Sequence, residues 1–525
     1  MWRRAAAIAG LLALLASVRP AYADDNASEE TSTGECAPHC YIGVDGSLRD
    51  ADLAYRRLTT RGNPKYLRTI IEVGAALGSG AAWYWIDRER QVADWDFPSL
   101  KQRITFEAWR FDNNPFDINF FWHTFNGMGF HVLARSNELS IAAAVGIGFA
   151  TSMVWEIGLE FREKVSVNDT ITTTGAGIAV GEFLHWFGRY INSGPQDNVL
   201  ENVLRWTFGA PRSLHNKLDK RIEYHGETDR LGFNGDIWHQ FDVGYGFSLA
   251  DTSRDGAAVS DDSKLHHVRI DARLAAIPGY LRPGTLKRFF ASGNVTSLDL
   301  TATFTGDGHG MNFRADTMLL GLHSQRIPMP EEDGIGTALT IGAGMSYHYR
   351  REKFFGWRER LGLMHLPGLA VDGHLLKSKF HLRASARIHP DFAGLNALSY
   401  PQWKAANPDA IEKTILRKHG YYYAWGMSGR GSLELSGPRF HMGASVFYGK
   451  YDSIENLDRT QETVEDDVHA DDSVFDYSAW LRVGPFFDDF YVGAHLSRQA
   501  REGSVGGVPG EAELDRIMVQ VVTRL

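Results

Sequence analysis

Two hydrophobic periods divide the chain. Up to about Leu218 the apolar positions cluster or recur at helical spacing, and from about Glu223 onward they alternate with polar ones. The run LRTIIEVGAALGSGAAWYW within Tyr66–Trp85 is dominated by Gly and Ala and predicts a closely packed helix. ITFEAWRF, before Asp112, alternates and predicts a strand. A second helix is predicted over Asn119–Ala134, with His123, Gly127 and His131 on one face at steps of four. A third covers Leu139–Phe161. It is apolar except for Ser140, Thr151, Ser152, Glu156 and Glu160, and is long enough to cross a bilayer. Asp169–Ile191 follows, with Ser166, Asn168 and Asp169 as cap candidates, and a more ordinary amphipathic helix runs from Asp197 to about Leu218.

In the second half, period two is plain in Phe241–Leu249, Val268–Leu274, Ser297–Phe304, Leu339–Arg350, Tyr477–Val483, Tyr491–Gln499 and the terminal IMVQVVTRL. In Phe380–His389, Phe380, Leu382, Ala384, Ala386 and Ile388 share one side, and His381, Arg383, Ser385, Arg387 and His389 share the other. The segments are about ten residues long, as a tilted membrane strand requires. Their polar faces hold Arg, His and Asp, as a wet lumen would. Aromatics such as Tyr421, Tyr422, Tyr423, Trp425, Phe447, Tyr448, Phe486 and Phe487 lie near strand ends, where a membrane interface would be. The predicted fold is an α+β membrane protein, an N-terminal helical bundle followed by an antiparallel transmembrane β-barrel of about 12 strands. The helices are expected to plug the lumen or sit at its periplasmic mouth. A soluble sandwich, or an inner-membrane helical protein with a periplasmic β-domain, is the competing architecture.

The ends supply an address. Arg3, Arg4, an apolar Ala5–Val18 and Ala21-Tyr22-Ala23 form a secretory signal, so residues 1–23 are expected to be removed. Residues 24–64 read as a polar periplasmic segment, 65–221 as the helical domain and 222–525 as the outer-membrane barrel. Net charge is −9 and the sequence pI about 6.1, which gives no electrostatic case for nucleic acid. A mean hydropathy of −0.27 is low for a polytopic helical protein and ordinary for a barrel. Cys36 and Cys40 suit a small local disulfide in an exported protein. The acidic run Arg459–Asp472 reads as a solvated loop, or as a bridge through divalent cations to lipopolysaccharide. Expected partners are outer-membrane lipid and lipopolysaccharide, with the barrel-assembly machinery during insertion.

Polar residues are sparse between Asn119 and Glu182. Glu156 and Glu160 share a helix face, and ionised carboxylates among apolar helices must be paired, metal-bound or protonated. His123, Glu156, Glu160 and Asp169 are therefore candidate catalytic residues, as acid and base or around a divalent metal and its water. Arg135, Asn137, Asn168, Thr173 and Glu182 are candidate binding residues. The same set also suits a polar network that fixes helix register. GAGIAVGE follows no strand and has no Lys, so Gly177 and Gly181 are better read as helix-packing positions than as a phosphate loop. Neither H-E-x-x-H nor G-x-S-x-G occurs. The functions in play are an envelope structural or binding protein, an envelope-lipid or cell-wall-processing hydrolase, and a channel or transporter.

The order His123, Gly127, Ala134-Arg135-Ser136-Asn137, Trp155-Glu156, Glu160, Ser166-Val167-Asn168-Asp169, Thr173, Gly177, Gly181-Glu182 resembles the bacterial envelope family called domain of unknown function 3943, over about residues 112–192. Thr124, Thr174 and Glu138 stand where that family tends to have Pro, Pro and Gly. More distantly, the pattern is similar to VanZ-like helical proteins. The resemblance implies a compact helical bundle with inward polar residues, and names no reaction.

Overall fold

The computed structural model describes residues 39–525 apart from 60–61, 88–95, 195–198, 222, 224–226, 411–413, 456, 458–466 and 487–488. The signal segment and Cys36 lie outside the described residues, as does much of the acidic run; Cys40 is disulfide-bonded. Two short strands open the described chain, β1 (Cys40–Ile42) and β2 (Leu48–Asp50), followed by helix α1 (Ala51–Thr59).

The helical region then comprises α2 (Tyr66–Asp87), α3 (Leu100–Ile104), α4 (His123–Ser136), α5 (Ile141–Val154), α6 (Val167–Ile171), α7 (Gly177–Asn192), α8 (Val199–Phe208) and α9 (Ala210–Leu218). Strands β3 (Trp109–Arg110) and β4 (Val165–Ser166) pair in parallel between them. ITFEAWRF is thus mostly a turn and the end of α3, with two residues of strand. Ser99 and Gln102 form a capping box that starts α3. Ser140 caps α5 by accepting the Ala143 amide at 3.1 Å. Three π-helical turns interrupt the helices, at Ile118–Trp122, Trp155–Leu159 and Thr172–Ala176. The expected helix over Asp197–Leu218 is broken at Gly209.

Twelve strands make the barrel, β5 (Trp238–Arg254), β6 (Ala257–Ala275), β8 (Val295–Thr305), β9 (Gly308–Ile327), β10 (Gly336–Phe354), β11 (Trp357–Lys377), β12 (Phe380–Asn396), β13 (Tyr421–Gly437), β14 (Phe440–Ser453), β15 (Ala470–Phe486), β16 (Phe490–Val505) and β17 (Val508–Arg524). Each pairs antiparallel with the next, and β17 pairs β5, so the sheet closes on itself and keeps no free edge. Strand β7 (Gly284–Phe290) joins the far end of β9, beyond where β8 stops, and carries β1 and β2 with it. One rim holds both barrel termini. The other, the long-loop rim, holds the β12–β13 and β14–β15 connections, the first with helices α10 (Tyr400–Ala406) and α11 (Thr414–His419).

Ion pairs between non-neighbouring strands identify the inward face. Arg273 on β6 meets Glu434 on β13 at 3.0 Å, and Arg516 on β17 meets Glu352 on β10 at 2.6 Å. The opposite face exposes Tyr245, Phe247 and Leu249 on β5, Ile517, Val519 and Val521 on β17, and Leu433 on β13. A polar interior and an apolar exterior are what a membrane barrel requires. At the long-loop rim, Trp403 and Leu416 pack into the lumen against the inward Leu361, Leu363, Leu395, Tyr422 and Tyr451. At the other rim, Tyr280 enters the lumen, where its hydroxyl lies 3.2 Å from His374.

The helices neither plug the lumen nor cap its mouth, contrary to the expectation from sequence. They pack on the outside of the wall. On β10, Tyr347 and Tyr349 alternate with the inward His348 and Arg350. Tyr347 donates to the carbonyl of Phe120, and Tyr349 donates to Asp117 at 2.9 Å. Phe111, Phe116 and Phe120 share a core with the outward Phe313, Met364, Phe392, Tyr421 and Tyr423. Thr317 on β9 donates to the Ala179 carbonyl of α7 at 3.0 Å. The lumen is lined by ion pairs, so the apolar faces of the helices find cover on the outer wall.

Candidate functional site

The helices are held together by a glycine crossing. A Cβ on Gly127 of α4 would overlap the Thr173 carbonyl, and one on Gly177 of α7 would overlap the Gly127 backbone. A Cβ on Gly181 would meet the His131 ring. Only glycine lets α4 and α7 approach this closely. Gly177 and Gly181 are packing positions, and Thr173 contributes its carbonyl to the crossing.

The crossing separates the sequence-predicted site residues into two groups. The first lies toward the long-loop rim. Asn168 donates to Asp112 at 2.9 Å and to Asp169 at 2.6 Å, and accepts the Asp112 amide at 2.9 Å. The Asp169 carboxylate lies 3.4 Å from Nε2 of His123. Glu156, 1% exposed, accepts the Ser166 amide at 2.9 Å. Arg103, 2% exposed, donates to the carbonyls of Glu163 at 2.6 Å and Glu160 at 3.0 Å, and to that of Glu156. It thereby satisfies carbonyls at the end of α5 and its π-turn.

This group is sewn to the barrel. Asn119 donates to Asp112 at 2.6 Å and to the hydroxyls of Tyr423 at 2.5 Å and Tyr421 at 2.9 Å. Tyr423 donates to Asp112 at 3.0 Å, and Tyr421 donates to the Asn114 carbonyl at 2.8 Å. Asn119 and Glu156 lie in two of the π-turns and Thr173 in the third; such turns often mark functional positions.

The second group lies toward the other rim. Glu182, fully buried, forms an ion pair with Arg135, whose Nε lies 2.6 Å away and whose Nη2 donates at 3.3 Å, and lies 2.6 Å from Nε2 of His131. Arg135 also donates to the carbonyls of Leu139 at 2.9 Å and Ser292 at 3.3 Å, the latter on the barrel side. Asn137 belongs to neither group. It donates to Glu72 of α2 at 2.6 Å, and Glu72 meets His215 of α9 at 2.7 Å. Glu138, where the family tends to have Gly, adopts a left-handed φ of 66° and is held by Arg212 and Arg221. The turn survives without glycine because its carboxylate is anchored.

Among the described residues, no group of three or more His, Cys, Asp or Glu side chains is arranged to hold a metal ion. Glu156 is spent on the Ser166 amide and Asp169 on Asn168, while Nε2 of His123 faces Asp169 at 3.4 Å without a hydrogen bond. Sequence reasoning missed Asp112, Asn119, Arg103 and the outward tyrosines, and noted His131 only for its face. A buried Asn and an Asp flanking a Pro-initiated turn carry no spacing that marks them. Their partners are about 300 residues away in sequence.

Residues 108–210 match the family described as domain of unknown function (DUF3943). No curated protein matches the chain. Among solved structures, the loop L8 deletion mutant of OmpT, an outer membrane protein of Vibrio cholerae, is similar at 6% identity, covering 55% of this chain and 99% of that one with a TM-score of 0.20. An outer membrane channel from Pseudomonas putida F1 is similar at 13% identity over 55% of this chain and 95% of that one, with a TM-score of 0.21. The translocator domain of the autotransporter NalP from Neisseria meningitidis is similar at 10% identity over 59% of this chain and 94% of that one, with a TM-score of 0.19.

Proposed function

We propose that this is an outer-membrane protein with an envelope structural or binding role, in which a sealed barrel presents a helical bundle within the bilayer on its lipid-facing wall. The supporting observation is the pair of opposite faces on each covered strand. The inner face is occupied by ion pairs and by the inserted Trp403, Leu416 and Tyr280, and the outer face receives the bundle. The far sides of α2 and α5 are apolar and uncovered, with Leu67, Ile70, Ile71, Ile86, Phe149 and Val154 each at least half exposed. The stretch Ile141–Leu159 has the length and apolarity of a membrane span, and α2 has 22 residues, about 33 Å of helix against a hydrocarbon core of about 30 Å. Acyl chains are the cover that suits both these helices and the bare strands. Helices satisfy their own backbone, so they can occupy that position.

The buried polar groups then serve as the seam of the bundle rather than as a reaction centre. Conductance in planar bilayers tests the sealed lumen. The full chain is expected to be silent, and deletion of residues 398–418 to give steady openings. Steady conductance by the intact protein would contradict the reading.

A further inference from the structure

Below the inserted helices α10 and α11, the lumen contains a chamber of about 150 Å³, room for on the order of ten waters. Its inward lining is unbalanced, with five arginines against three carboxylates, Arg498 belonging to the outward row of β16. The three carboxylates are already taken. Asp299 holds Arg269 at 2.6 Å, Glu352 holds Arg516 at 2.6 Å, and Asp476 holds Arg350. Arg498 is engaged by Glu513 and Asp515. Arg430 reaches Asp316 only at 3.4 Å.

Among the described residues no carboxylate pairs with Arg314 within 4 Å; Asp299, its cross-strand neighbour, and Asp316 and Asp476 act on it only from further away. The Arg314 guanidinium donates to Nδ1 of His348 at 3.0 Å and lies over the Phe447 ring at 5.5 Å. His348 must then be the neutral tautomer with hydrogen on Nε2, which donates to Asn312 at 2.9 Å. A protein that pairs nearly every other lumen charge has here a neutral acceptor beside a guanidinium, and a chamber in front of it. An enclosed cation of this kind calls for a counter-charge.

We propose that the chamber binds a small tetrahedral oxyanion, of the sulfate or phosphate class, between Arg314 and Arg430. Guanidinium groups bind such anions through paired N–H donors, and the chamber is too small for a lipid headgroup with its chains. The inference concerns the barrel lumen alone and does not depend on where the helices lie.

Titration calorimetry of the full chain in detergent, with sulfate at fixed ionic strength, tests it. The expected result is saturable binding of one sulfate per chain, weakened at least about tenfold in Arg314→Gln and unchanged in Arg358→Gln, an exposed residue at the long-loop rim. No saturable binding by the unsubstituted protein, or equal affinity in Arg314→Gln, would overturn the proposal. Should Arg314→Gln fail to give a heat-modifiable barrel, selenate diffused into crystals of the unsubstituted protein decides. Anomalous density beside Arg314 is expected, and its absence at saturating selenate would be decisive against the site.

Discussion

The barrel wall has two arcs that follow one strand pattern and end differently. On β17 and β5 the outward row is Ile517, Val519, Val521, Tyr245, Phe247 and Leu249, all exposed. On β10 to β13 the outward row near the long-loop rim is Tyr347, Tyr349, Gly362, Met364, Phe392, Tyr421 and Tyr423. Its side chains are buried, and Cβ atoms on Gly362 and Gly394 would overlap the Phe120 ring. Apolar and aromatic side chains with no set partner suffice where hydrocarbon is the neighbour. Where a protein is the neighbour, the wall uses glycines for close approach and tyrosine hydroxyls that find acceptors at Phe120, Asp117, Asp112 and Asn114. The covered arc was built to receive a partner, and the partner is in the same chain.

The sharpest break of this contrast is to strand a buried charge beneath the bundle. Glu182→Ala leaves Arg135 without its carboxylate and is expected to cost about 3–5 kcal/mol, read as loss of the bundle's protection in limited proteolysis. Gly127→Leu drives a side chain into the Thr173 carbonyl, a backbone atom that cannot step aside, and should cost about 3 kcal/mol. The matched change on the bare wall is Gly431→Ala, whose Cβ meets only ordinary contacts, the nearest at 3.7 Å from Val446. It should change stability by less than about 0.5 kcal/mol. Between these lies Asn119→Ala, which removes the donor shared by Asp112, Tyr421 and Tyr423 and is expected to cost about 1–3 kcal/mol.

The barrel was legible because alternation places side chains on faces without help from distant sequence. His381, Arg383 and Arg387 fall on the polar side of Phe380–His389 by counting alone, and Arg383 does meet Asp372 and Glu434 in the lumen. Helix positions were legible too, as was the close packing of Gly177 and Gly181. Which way the bundle faces was not. Tyr421 and Tyr423 read as an interfacial girdle, whereas they are hydrogen-bonded to Asn119, about 300 residues earlier in the chain. The candidate set was gathered in sequence as one site, and the Gly127–Thr173 crossing divides it in two. The three π-turns are a further reason: an inserted residue in each shifts the helical face by about 100° and defeats the counting that grouped Glu156 with Glu160.

Bilayer-depth quenching tests the central claim most directly. A bimane label on Cys introduced at Ala150, on the uncovered side of α5, is compared with one at Val519, on the bare wall, in vesicles with brominated acyl chains. The account predicts strong quenching by the brominated lipid at both positions and little by aqueous iodide. Iodide quenching at Ala150 with no response to brominated lipid, while Val519 shows the reverse, would contradict it and place the bundle in water.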